Sequence, residues 1–192
     1  MSWLRRGWLL VGVLSTHLLL TSATALTLEG VVVADTVPVA NTSLTLNGAG
    51  VRTKLFMSIY VGALYLPAKA NTLPGVLAQT GPKQLALHFV YKKLPPEKLV
   101  AAWNEGFNAN LSPVELTALA ASIRQFNQWF TQEAVQGTVY RINEIPGVGT
   151  QLWINDQLKG TIAEAGFYPA LLQIWLGKKP VTTELKQALL GN

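Results

Sequence analysis

Cysteine is absent from this chain of 192 residues, and histidine occurs only twice, as His17 and His88. The lack of cysteine excludes disulfide bonds, thiolate metal sites and cysteine nucleophiles. His17 lies in an N-terminal segment that we expect to be removed, so one histidine remains in the body of the protein. A single histidine forms no zinc cluster, and we find no Ser/His/Asp set around it. Because a lone histidine within a strand is more often structural than catalytic, we interpret His88 as structural.

Charged residues are also scarce, at 13% of the chain, and the formal net charge is +5. The acidic residues are scattered, without a close pair suited to acid–base catalysis. The basic doublets Lys92-Lys93 and Lys178-Lys179 are not interleaved with aromatic residues, which argues against a nucleic-acid groove. No phosphate-loop lysine stands in register with a glycine-rich segment. We therefore expect no cofactor, no metal and no nucleic-acid partner.

The first 25 residues have the pattern of a secretory signal peptide. Arg5 and Arg6 form a positive start, residues 8–20 are mostly apolar, and Ala23-Thr24-Ala25 resembles a cleavage site. The apolar run is shorter than the roughly twenty residues that span a bilayer. We expect cleavage after Ala25, a periplasmic location and no membrane span afterwards. Residues 26–192 then form a single domain.

Hydrophobic periodicity in residues 26–192 predicts strands, a block of helices, further strands and final helices. Ser112-Pro113-Val114-Glu115 is a strong helix start, with a serine cap, a proline at the first position and a glutamate that closes a capping box. The other helices are predicted to begin near residues 95, 168 and 182. The predicted strands are 28–33, 43–46, 51–66, 85–91, 138–143, 150–155 and 158–162. This order predicts an α+β fold in which helices cover a mainly antiparallel sheet.

Arg52 stands at the start of the long apolar segment 51–66. A guanidinium keeps its charge, and its burial without an anion is unfavourable. We therefore predict that Arg52 meets either a ligand or a carboxylate of the protein, such as Glu29 or Glu144. The segment is interpreted as one strand; a helix is the alternative, which Gly62 and the β-branched residues disfavour.

On one regular strand, Arg52 and Tyr60 point to the same side but lie roughly 26 Å apart. That distance is too long for both to hold one chemical group. A bulge or bend, which the glycines permit, shortens it; alternatively, the two side chains mark opposite ends of an elongated pocket. Lys54 is nearer to Arg52 on the same face and is interpreted as a surface residue.

The segment Gly48-Ala49-Gly50-Val51-Arg52, with its apolar continuation to Leu66, resembles the chalcone isomerase family, and most closely its exported bacterial branch. Three later motifs agree in order, and the resemblance covers nearly all of residues 26–192. These motifs are Val139-Tyr140-Arg141, Gly166-Phe167-Tyr168 and Ile174-Trp175-Leu176-Gly177. The resemblance implies an open-faced β-sandwich, a large antiparallel sheet covered by a layer of helices, with an apolar cleft between them.

The resemblance also implies a binding site at Arg52 and Tyr60. In plant enzymes of the family, an arginine in this Gly-x-Gly-x-Arg context holds the anionic oxygen of the substrate. A threonine further along polarises the ketone, and Tyr60 stands at that position here. Plant fatty-acid-binding relatives hold a carboxylate with an arginine and a tyrosine at these two places. The enzymes' tyrosine–asparagine pair has no convincing match near Lys98, and their late polar residue falls near the apolar Ile174-Trp175.

These departures favour a non-catalytic binder of a small amphipathic anion, such as a fatty acid, without catalytic residues. The ligand is expected to be amphipathic or aromatic. Two alternatives remain open. One is an intramolecular lyase with chalcone–flavanone isomerase activity, in which Arg52 stabilises the oxyanion. The other is a structural or interaction protein in which Arg52 forms an internal ion pair.

Overall fold

Seven strands form one antiparallel sheet in the order β11-β10-β9-β6-β5-β4-β3. The computed structural model describes residues 26–192, so the predicted signal peptide lies outside the described residues. Two short ribbons, β1-β2 and β7-β8, accompany the sheet. The strands are β1 (Leu26–Leu28), β2 (Val31–Val33), β3 (Thr36–Val39), β4 (Thr42–Lys54), β5 (Met57–Leu66), β6 (Lys83–Phe89), β7 (Lys93–Leu94), β8 (Ala134–Val135), β9 (Val139–Ile145), β10 (Gly149–Ile154) and β11 (Gln157–Ile162).

Helices lie in the connections between strands and at the C-terminal side of the domain. They are α1 (Leu73–Leu77), α2 (Pro96–Asn110), α3 (Pro113–Ala118), α4 (Ala120–Gln128), α5 (Phe167–Leu176) and α6 (Thr183–Leu189). The capping box predicted at Ser112 is confirmed, because the Ser112 side chain accepts from the backbone of Glu115 and the Glu115 side chain accepts from the backbone of Ser112. Among residues 26–192, no helix is long and apolar enough to cross a membrane.

The prediction of one strand over residues 51–66 is wrong. The segment belongs to a hairpin in which β4 and β5 are joined by a turn at Leu55 and Phe56. Both residues have positive φ, at 48° and 68°, which is the geometry of the mirror-image turns that close two-residue hairpins. Such turns usually carry asparagine or glycine, and this one carries neither. The apolar pattern therefore continues through the turn, and no residue in the segment indicates that a turn occurs there.

Three other predicted boundaries also differ. The predicted strand 28–33 is split into β1 and β2 by a turn at Glu29-Gly30. The predicted strand end at Asn47 is instead a bulge, where the pairing of β4 with β5 shifts register and the strand continues. The helix predicted to run on from Ser112 is interrupted at Leu119, which separates α3 from α4.

Both faces of the sheet are buried at β5, whose apolar residues alternate between two cores. Tyr60, Leu64 and Leu66 of β5 pack beneath the helices in the larger core. The alternate residues Val61, Ala63 and Tyr65 belong to a second, smaller core on the opposite face. That second core is covered in part by the β1–β2 ribbon, whose Val33 is fully buried in it.

Helix α6 lies directly on β4 because two glycines leave room for it. A Cβ atom at Gly48 would lie 2.0 Å from the carbonyl oxygen of Ala188, and one at Gly50 would lie 2.6 Å from the Ala188 Cβ. The bulged Asn47 completes this contact, since its Nδ2 donates to the Leu189 carbonyl oxygen at 2.7 Å. The glycine motif of the sequence thus fixes α6 on the sheet, next to Arg52.

Candidate functional site

The β4–β5 hairpin brings Arg52 and Tyr60 together. The two residues are direct cross-strand partners, so their side chains lie on the same face of the sheet. Directly opposed residues have Cβ atoms about 4.5–5.5 Å apart. The expected separation of roughly 26 Å, and with it the elongated pocket, is therefore wrong. The register shifts just beyond the pair, where Thr53 opposes Ser58 and Ile59 is the extra residue.

Tyr60 is buried beneath the helices, with 4% of its surface exposed. Its hydroxyl oxygen accepts a hydrogen bond of 2.9 Å from the indole Nε1 of Trp175 on α5. Burial raises the pKa of Tyr60 to about 12, although the Trp175 hydrogen bond and the nearby Arg52 guanidinium act in the opposite direction. The phenol is therefore neutral at physiological pH. Within residues 26–192, no group accepts a hydrogen bond from its proton, so that proton remains available to a ligand.

Arg52 is half-buried at the end of the helix-covered face. Its Nη1 donates to the carbonyl oxygen of Thr53, the next residue. The described part of the chain provides no carboxylate partner for it. Glu29 instead accepts a hydrogen bond from Ser58, and Glu144 is bound to Lys83. The ion pairs among residues 26–192 are Lys83–Glu144, Lys93–Glu133 and Arg141–Asp156.

A set of aromatic rings that includes Tyr60 lies between the sheet and the helices. Neighbouring rings in the set have centroids 4.8 to 6.0 Å apart, and the Trp175–Tyr60 hydrogen bond closes it into a cycle. We call this set the aromatic cycle. Its members are Tyr60, Phe89, Tyr140, Phe130, Trp103 and Trp175. An apolar group that enters beside Arg52 therefore meets aromatic surface.

A family model described as chalcone isomerase-like matches residues 25–191. The chain belongs to the chalcone isomerase-like family. Among solved structures it is similar to the Arabidopsis thaliana fatty-acid binding protein AtFAP1, with a TM-score of 0.66 and 14% sequence identity over 84% of this chain and 92% of that one. The shared architecture confirms the predicted open-faced β-sandwich. No curated protein matches the chain.

Two tryptophans of this chalcone isomerase-like domain were missed as site residues. The sequence predicts an apolar segment around Trp175, yet the indole N–H of Trp175 donates a hydrogen bond to the Tyr60 hydroxyl. Trp103 packs against Trp175 in a tilted arrangement, with ring centroids 5.4 Å apart and an interplanar angle of 52°, and its own Nε1 is buried without a partner among the described residues. An indole carries a single N–H donor on a large apolar ring system, so a hydropathy scale counts tryptophan as apolar and does not indicate its hydrogen bond.

The remaining candidates lie away from the Arg52–Tyr60 pair or in solvent. His88 pairs with Val61 and therefore points to the face opposite the helices. Its half-buried position, together with the nearby Arg141, lowers the pKa of His88 below 6.5 and keeps it neutral. Lys54 and Lys98 are both exposed. Residues 26–192 contain no group of three side chains arranged to hold a metal ion.

Two cavities within residues 26–192 lie away from the Arg52–Tyr60 pair. One of about 230 Å³ lies between the β9–β10 turn and the start of α5, and Tyr168 lines it. Another of about 440 Å³ lies between α1 and α6. The space beside Tyr60 is instead filled by the aromatic cycle. A long ligand at Arg52 thus requires the helices to move away from the sheet.

Proposed function

We propose that this chalcone isomerase-like protein is an exported, periplasmic binder of a small amphipathic anion such as a fatty acid. The observation that carries the proposal is the Arg52 guanidinium, which lies opposite a neutral Tyr60 hydroxyl and has no carboxylate partner within residues 26–192. The fold shared with a fatty-acid binding protein supports the choice of ligand class.

The donors at the site determine the chemistry of the head group. A guanidinium has no acceptor, and the available hydrogen of Tyr60 makes it a donor as well. A carboxylate accepts hydrogen bonds from both, and the hydrogen bonds to Arg52 are strengthened by charge. Because burial raises the pKa of Tyr60 to about 12, the hydroxyl keeps its proton when an anion binds.

We expect the apolar tail of the ligand to lie between the sheet and the helix layer. Trp103 on α2 and Trp175 on α5 close the aromatic cycle over Tyr60 in the structure described. Outward displacement of α2 and α5 opens a path lined by aromatic surface, along which the burial of each methylene contributes about 0.8 kcal/mol. The unpaired Trp103 N–H then also gains access to an acceptor.

For the lyase alternative, Arg52 could stabilise the oxyanion, but no general base lies beside it among the described residues. Within the described residues, Tyr60 is held neutral and His88 faces the other side of the sheet, so neither serves as a base beside Arg52. A chalcone absorbance assay tests this alternative. A rate above the spontaneous cyclisation, lost in Arg52→Gln, would establish turnover in place of simple binding.

The binding proposal is tested by native mass spectrometry of protein purified from a periplasmic extract. We expect bound fatty acid on a chain that begins at Leu26, which also tests export and cleavage. Arg52→Gln removes charge-assisted hydrogen bonds worth about 1.5–3 kcal/mol, so we expect binding to weaken by about tenfold to a hundredfold.

Arg124→Gln is the matched control, since it removes the same charge from an exposed position on α4 and is expected to leave binding unchanged. An Arg52→Gln protein that carries as much fatty acid as the wild type would overturn the proposal.

A further inference from the structure

The turn of the β4–β5 hairpin exposes three consecutive apolar residues. Leu55 is 77% exposed, Phe56 105% and Met57 41%. We call residues 55–57 the hairpin tip. Single exposed apolar residues are common on protein surfaces, but a projecting group of three with an aromatic ring at full exposure is not. No packing within residues 26–192 accounts for the position of Phe56.

The same turn is held in an unfavourable backbone conformation. Leu55 and Phe56 both have positive φ, a region that costs residues with a Cβ atom about 1–2 kcal/mol each. Asparagine and glycine adopt this turn more readily. The hairpin tip therefore has both a strained backbone and apolar side chains exposed to water. Backbone strain of this kind is found mainly at functional sites.

Two positively charged residues lie next to the hairpin tip in the sequence. Residues 51–58 contain Arg52 and Lys54 and no acidic residue. Glu29, which reaches the base of the hairpin from the β1–β2 turn, accepts a hydrogen bond from Ser58 at 3.1 Å. The hairpin presents an apolar end that is preceded in the chain by the exposed Lys54 and the half-buried Arg52, while the carboxylate of Glu29 contacts its other strand at Ser58. This arrangement is complementary to an anionic lipid surface, in which acyl chains lie beneath negative head groups.

We propose that the hairpin tip docks on an anionic lipid bilayer, with Leu55 and Phe56 among the acyl chains and Lys54 and Arg52 at the head groups. A bilayer fits better than a protein partner because a two-residue turn is too small for the 1,200 Å² or so that a stable protein interface buries. Insertion by about 5–10 Å is sufficient at a membrane interface.

Docking would place the entrance of the proposed ligand site at the membrane. Arg52 precedes the tip by three residues, so an amphipathic anion could pass from the bilayer to the guanidinium without exposing its tail to water. This transfer step rests on the proposed function. The docking itself does not, and it is measured without any fatty acid.

The test is flotation of the purified protein with vesicles of phosphatidylcholine, with and without about one-third phosphatidylglycerol. We expect the wild type to float with the anionic vesicles and far less with the neutral ones. The double variant Leu55→Asn/Phe56→Gly suits the turn geometry, so the fold is retained while the apolar tip is removed. Its partition to vesicles is expected to fall at least about tenfold.

Two further variants separate charge from apolar insertion. Lys54→Gln is expected to lower partition by about fivefold, the effect of removing one cation near an anionic surface. Val114→Asn is the matched control, since Val114 on α3 is 79% exposed but lies outside the hairpin, and partition is expected to be unchanged.

Three outcomes would overturn the docking proposal. In the first, the wild type does not float with anionic vesicles. In the second, Leu55→Asn/Phe56→Gly floats as the wild type does. In the third, the tip mediates self-association, seen as a dimer that the double variant loses while vesicle binding is absent. A double variant that still binds fatty acid in solution but no longer floats would separate docking from ligand binding.

Discussion

At the scale of single residues, the Tyr60 hydroxyl combines one observed contact with one proposed contact. The oxygen accepts the Trp175 indole hydrogen and so joins α5 to the sheet. The proton on the same oxygen is left for the proposed ligand. A change at this position should therefore affect both stability and binding, and the two effects are separable by comparison with other buried tyrosines.

Tyr60→Phe is expected to destabilise the protein by about 1–3 kcal/mol, because the Trp175 N–H loses its acceptor inside the core. Urea unfolding followed by circular dichroism measures this change. Tyr140→Phe is the control, since Tyr140 is a buried member of the aromatic cycle with no such bond from Trp175. Equal destabilisation by the two substitutions would show that the Trp175 hydrogen bond contributes nothing.

The residue identities of the site were only partly predictable. Arg52 was identified because a charge in an apolar segment requires an explanation, and Tyr60 because of the family resemblance. Trp103 and Trp175 were missed because hydropathy counts an indole as apolar. The role of each tryptophan depends on the direction of its indole N–H bond in the folded protein, and local sequence patterns do not encode that direction.

At the scale of secondary-structure elements, the structure departs most from the sequence prediction at the β4–β5 hairpin. The apolar segment 51–66 was read as one strand because Leu55 and Phe56 give no turn signal. The strand character predicted on each side of the turn is confirmed. The distance between Arg52 and Tyr60 was wrong because it depended entirely on that turn.

The contact between α6 and β4 gives a prediction for Gly50→Ala. The added Cβ would lie 2.6 Å from the Ala188 Cβ, so α6 must shift, and we expect a destabilisation of about 1–3 kcal/mol. The second substitution Ala188→Gly removes the obstructing atom. A thermal unfolding series should therefore show that the double variant is less destabilised than the sum of the single ones.

Gly166→Ala is the control for the α6 contact, since a Cβ there would meet no atom closer than 3.8 Å. It is expected to change stability by less than about 1 kcal/mol, because the poorer N-cap and the smaller entropy of the unfolded chain oppose each other. Additive effects of Gly50→Ala and Ala188→Gly would contradict the packing explanation.

At the scale of the whole molecule, most tyrosines are buried, and this determines the response to high pH. Burial raises the pKa of Tyr60, Tyr65 and Tyr140 to about 12, and raises the pKa of Tyr168 well above its usual value near 10. The folded protein therefore retains protons that the unfolded chain releases above pH 10. Stability is unaffected by these groups below pH 10 and decreases as the pH rises from 10 towards 12.

A titration followed by phenolate absorbance tests this prediction. We expect the folded protein to show few ionised tyrosines near pH 10, and a cooperative increase as it unfolds closer to pH 12. Circular dichroism on the same samples should change together with the absorbance. Complete ionisation of all five tyrosines near pH 10 with the fold intact would contradict the burial described.

The overall architecture was more predictable than the site. The order of strands and helices indicated an α+β fold, and the family resemblance indicated the layer arrangement, because both depend on patterns that extend over many residues. The sheet order depends on pairings between distant strands, such as β6 with β9, and no local pattern encodes them.

The bulged Asn47 has a consequence for biosynthesis. Its side chain bonds the Leu189 backbone, 142 positions later in the chain. The glycine surface of β4 consequently stays uncovered during synthesis until α6 has emerged, and Trp175 reaches Tyr60 only shortly before. A nascent chain arrested before residue 175 would contain Arg52 and Tyr60 in sequence without the Trp175 hydrogen bond that holds α5 on the sheet. The proposed ligand capture therefore belongs to the completed chain.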